Sequence, residues 1–60
     1  MSETEYYRTL TKAISALHRD GISVVLINKM TDAEILRSFE IDDYAEYNRY
    51  IVYLCKKYDV

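Results

Sequence analysis

Apolar residues recur at Tyr6, Leu10, Ala13 and Leu17, at spacings of four, three and four, the repeat that lines up side chains along one face of an α-helix. Ser2 followed three residues later by Glu5 is a capping-box signature for the start of that helix. Gly21 suits the left-handed position just past a helix end, with Ile22 placed for the apolar contact that accompanies such a cap. The first helix therefore spans the stretch between Ser2 and Gly21.

The next run, Ile22-Ser23-Val24-Val25-Leu26-Ile27, is rich in β-branched residues and fits a buried strand or a buried helix. No other segment alternates convincingly, and an unpaired strand would leave backbone groups unsatisfied. A short helix capped by Ser23 is the better reading of residues 22–30, with a strand reserved for pairing with another chain. Thr31 with Glu34 forms a second capping box, and Asp43 with Glu46 a third of less usual composition. They predict helices over 32–39 and 43–58, joined by a tight connection at 40–42. The fold class expected is all-α, a small three- to four-helix domain over residues 1–60, with a helix-turn-helix-like pair at its C-terminal end.

Composition narrows the chemistry. The chain of 60 residues has one Gly, no Pro, one Cys and one His, which excludes an internal disulfide and a Cys/His metal set. A chain this short buries only about 60% of the surface that its unfolded form exposes, so a partner or a second copy would help to stabilise it. His18 sits where a positive charge suits a helix C-terminus, as do Lys56 and Lys57. Cys55 lies on an apolar face with no histidine placed to activate it, so it reads as a small hydrophobe. No catalytic residue, metal or cofactor is expected, and an enzyme is the least favoured class. The first residues are acidic where a signal peptide would be basic, and the longest apolar run is too short for a bilayer. A cytoplasmic protein without membrane contact is expected.

The segment from Met30 to Ile51, Met-Thr-Asp-Ala-Glu-Ile-Leu-Arg-Ser-Phe-Glu-Ile-Asp-Asp-Tyr-Ala-Glu-Tyr-Asn-Arg-Tyr-Ile, resembles the helix-turn-helix of many bacterial and phage regulators. The resemblance implies a short capped helix, a turn with an apolar residue, and a longer helix whose N-terminal side chains enter the major groove, probing base edges as part of a dimer. The residues themselves oppose that last step. Asp42, Asp43 and Glu46 precede the first basic residue, Arg49, whereas DNA binding draws most of its affinity from neutralising phosphates. With a net charge of −2, nucleic acid is not the expected partner.

Seven tyrosines occur in 60 residues, five of them in the last helix. At 100° per residue, Tyr44, Tyr47, Ile51, Leu54, Cys55 and Tyr58 share one face, the expected core stripe. Tyr53 falls opposite Tyr44, and Tyr50 lies between Tyr53 and the core, alongside Glu46 and Lys57. Exposed Tyr among mixed charges is the composition of a protein interface. The expected partner-binding set is Glu46, Arg49, Tyr50, Tyr53 and Lys57, on a small regulator, inhibitor or adaptor that binds another protein. Compact acidic chains of this kind occur among phage and plasmid accessory proteins. A helix-turn-helix DNA-binding regulator is the alternative, and homo-oligomerisation is compatible with either.

Overall fold

In the computed structural model, residues 2–60 are described. They form four helices, α1 (Glu3–Arg19), α2 (Val24–Lys29), α3 (Asp32–Glu40) and α4 (Tyr44–Tyr58), and no strand among the described residues. The all-α expectation holds, including the short helix capped by Ser23 in place of a strand.

Each helix begins where a side-chain oxygen can take up an orphan backbone N–H. Ser2 Oγ accepts from Glu5 N–H and Ser23 Oγ from Val25 N–H, both at 3.2 Å. Thr31 and Glu34 close the complete reciprocal box. Asp43 caps α4 through Ala45 N–H at 3.1 Å, not through Glu46, so the third cap bonds one residue earlier than its box-like spacing suggests. At the other end of α1, Gly21 has φ +80°, and Gly21 N–H donates to His18 C=O while Ile22 N–H donates to Leu17 C=O, each at 3.0 Å. Those two bonds define the Schellman motif, and Ile22 packs onto the core beside them.

The core takes residues from every helix: Ala13 and Leu17 of α1, Leu26 and Ile27 of α2, Ile35 of α3, and Ile51 and Leu54 of α4, with Met30 between α2 and α3. Leu17, Leu26 and Leu54 are the largest side chains fully shut off from solvent. The most extensive packing is α1 against α3. A hydrogen bond from the Tyr6 hydroxyl to the Asp32 carboxylate at 3.0 Å fastens the start of α1 to the start of α3. The α2 run is less buried than its composition suggests, because Val24 and Val25 stay exposed while only Leu26 and Ile27 turn inward. A helix of 6 residues has room for one buried turn face and no more.

Candidate protein-interaction site

α4 carries the residues singled out from sequence, and its rotation about its own axis decides which of them meet solvent. Ile51 and Leu54 are buried, with Tyr47, Tyr50, Cys55 and Tyr58 packed partly against the same cluster. Three expectations are corrected here. Tyr44, placed in the core by its helical angle, is 74% exposed, because side chains lean toward the helix N-terminus and this first residue projects past the end of the packed body. Tyr50, expected on the outer face, is half-buried against the core, and burial pushes its hydroxyl pKa up. Cys55, expected buried, is half-buried and free.

Lys57 is likewise engaged inward. Its ammonium meets the Glu34 carboxylate at 2.8 Å, with the Lys57 side chain 45% exposed and that of Glu34 11%. The Tyr58 hydroxyl donates to the other Glu34 oxygen, which also accepts from Thr31 N–H at 2.9 Å. Lys57 Nζ stands 5.3 Å from the Tyr58 ring centroid, and Lys29 Nζ donates to the Tyr58 carbonyl at 3.3 Å. Burial of Glu34 would raise its pKa, but the bonds from Lys57, Tyr58 and Thr31 outweigh it and lower the value to about 2. The same contact raises the pKa of Lys57 and that of Tyr58. Glu34 thus ties α3 to the last turn of α4. The sequence marked Glu34 only as a cap, since its second role needs α4 alongside.

What remains free on α4 is a face turned by roughly 90° from the expected one, reckoned at 100° per residue. It is a shallow, open depression lined by Asn48, Arg49, Val52, Tyr53 and Lys56. Val52 and Tyr53 are 51% and 54% exposed. The Tyr53 ring stacks on Tyr50, with centroids 6.1 Å apart and planes inclined by 22°, so the core-packed ring fixes the exposed one. Of the expected set, the structure brings Arg49 and Tyr53 together on this face, with Tyr50 beneath. Glu46 is exposed one turn or more away, and Lys57 points to Glu34. Asn48, Val52 and Lys56 were missed. The spacing Arg49-Val52-Lys56, three and then four residues, was the signal that could have found them.

A second depression lies on another side of α4. A cleft of about 240 Å³ is bounded by the end of α1, the α3–α4 corner and the start of α4, with Ala16, Arg19, Asp20, Phe39, Tyr44 and Tyr47 among its lining. The Tyr47 hydroxyl is buried beside the Asp20 carboxylate, with no hydrogen bond of good geometry among the described residues. Burial, hydrogen bonding toward the Asp20 carboxylate and that carboxylate's charge push its pKa up to about 12.

Among the described residues no helix is long and apolar enough to cross a membrane. No group of three or more His, Cys, Asp or Glu residues among them could hold a metal ion. No protein-family model matches the chain, and neither a curated protein nor a solved structure is significantly similar to it.

Proposed function

We propose that this chain is a small protein-binding module, a regulator, inhibitor or adaptor acting in the cytoplasm, whose contact surface is the outer face of α4 around Val52 and Tyr53. The observation that carries this reading is an exposed apolar pair held between Arg49 and Lys56, with one ring pre-set by stacking on Tyr50. A rigid aromatic loses little conformational freedom on binding and supplies a large contact area, which is why Tyr and Arg recur among residues that dominate binding energy. None of the five lining residues is acidic, so the face is locally basic on an acidic chain, and it favours a partner surface with an apolar centre and carboxylates at its edge. The proposal includes no catalytic step.

The test is capture of the partner from the native host, followed by the double substitution Val52→Ala with Tyr53→Ala. The variant should keep its helical circular dichroism and lose the partner, since truncating interface anchors costs about 2 kcal/mol or more of binding each. A variant that captures the same protein as well as the parent places the contact elsewhere.

The DNA-binding reading is second, and the consecutive α3–α4 pair with its short connection is what favours it. Against it stand Glu40, Asp42, Asp43 and Glu46 around the start of the helix that would enter the groove. Salt-sensitive retention of a specific duplex in a mobility-shift experiment would reverse the ranking.

A further inference from the structure

Resting on the reading of the outer face of α4 as a binding surface, we infer that its occupant in the free protein is a second copy of this chain, the two α4 helices lying antiparallel across a two-fold axis. Ala45, Arg49, Val52 and Lys56 recur at spacings of four, three and four, the seam repeat by which two helices pack side by side. All four are exposed, on the side of α4 turned away from Ile51 and Leu54. Only residues of α4 line the depression along this seam, so no other part of the described chain covers it. Tyr53 borders it, its ring held by stacking on Tyr50.

Charge decides both the occupant and its direction. From Asp42 to Asn48 there are three acids and no base, and from Tyr47 to Tyr58 three bases and no acid. Lys57 is held by Glu34, whereas Glu46, Arg49 and Lys56 form no ion pair among the described residues. A parallel pair sets Glu46 against Glu46 and Lys56 against Lys56, like charges at the same level. An antiparallel pair with Arg49 level with Val52 reverses this. The seam register then puts Lys56 level with Ala45 of the other copy and next to its Glu46, twice by symmetry. It also lays Arg49 beside the Tyr53 ring of the other copy, and the opposed helix dipoles attract. Asp59, the C-cap, lies past the last turn and outside the seam. A helix of 15 residues offers a strip about 22 Å long and about 10 Å wide, well short of the roughly 800 Å² per partner of a standard interface. The dimer is therefore weak, with a dissociation constant on the order of 0.1 mM, and a target protein can displace the second copy from Val52 and Tyr53.

The experiment is sedimentation equilibrium of the pure full chain from about 10 μM to about 1 mM, where mass should rise from that of one chain toward that of two. Lys56→Glu and Glu46→Lys should each keep the helical circular dichroism and weaken the dimer by about tenfold, since reversing one exposed charge turns two attractive contacts repulsive. Both changes in one chain restore the opposed pairs and should return the midpoint to within about threefold of the parent. An equimolar mixture of the two single variants should associate more tightly than either alone, because each supplies the charges that the other lacks. A chain that stays monomeric throughout overturns the second copy, while capture of a host protein through Val52 and Tyr53 is judged separately. A dimer that the double substitution Val52→Ala with Tyr53→Ala leaves intact places the pairing on another surface and counts against the outer face itself. A dimer indifferent to both single reversals, or weakened by them and not restored by the double change, overturns the antiparallel pairing.

Discussion

The two ends of α4 rest against the body of the protein through tyrosines in opposite states. At the C-terminal end the Tyr58 hydroxyl donates to Glu34, whose two oxygens also take Lys57 and Thr31 N–H. At the N-terminal end the Tyr47 hydroxyl is buried with no partner among the described residues. One junction is complete and serves the fold; the other lacks a bond of good geometry and has only the Asp20 carboxylate nearby. A buried polar group contributes most when it is well paired, so the same residue type is firmly held at one end and only weakly compensated at the other.

The largest effect should follow removal of the shared acceptor at the closed end. Glu34→Ala deletes a cap partner, an ion pair and a buried hydrogen bond together, and should cost about 3 kcal/mol, discounted because Lys57 can return to water. In a domain this small that is much of the total stability, and urea titration should show it. A loss under about 1 kcal/mol would mean the closed end is no tighter than the open one.

Acid should loosen the same junction. The Glu34 pKa is lowered from 4.5 to about 2 in the folded chain, so the native state binds this proton less readily than the unfolded state does. Its stabilising contribution is therefore full above about pH 4.5 and fades as pH falls toward 2, by about 2 kcal/mol after allowance for solvent screening. Melting temperature against pH should show this slope in the parent, and Glu34→Gln should flatten it.

Paired phenol deletions sharpen the contrast. Tyr58→Phe should lower the melting temperature, because it strips a hydroxyl that donates to Glu34. Tyr47→Phe should change it less, because the hydroxyl removed has no bond of good geometry and only the Asp20 carboxylate beside it. Equal losses would show that the Tyr47 hydroxyl is paired in solution and that the two ends are alike.

The smallest effect belongs to the outer face between those ends. Val52→Ala and Tyr53→Ala should each shift stability by no more than about 0.5 kcal/mol, the usual range for surface changes. Tyr50→Ala should cost clearly more, since that ring packs on the core. Equilibrium unfolding of the three variants separates a stacked pair with one buried member from two free surface rings.

The sequence by itself determined the helices. Ser2, Ser23, Thr31 and Asp43 cap four of them, Gly21 stops the first, and the Leu10-Ala13-Leu17 spacing orients it, because caps and periodicity act within a turn or two of chain. Even the β-branched run after Gly21 became a helix, for want of another strand to pair with. Local rules could not fix the rotation of α4, since a stripe of Tyr, Ile, Leu and Cys fits the core at more than one angle. Packing against α2 and α3 chose the angle that buries part of Tyr50, sends Lys57 to Glu34 and leaves Val52 with Tyr53 outside. The second role of Glu34 and the unpartnered Tyr47 hydroxyl were likewise invisible along the chain. Each depends on groups 20 or more residues away (Glu34 on Lys57 and Tyr58, Tyr47 on the end of α1), and only the packed fold brings those groups within hydrogen-bonding range or withholds them.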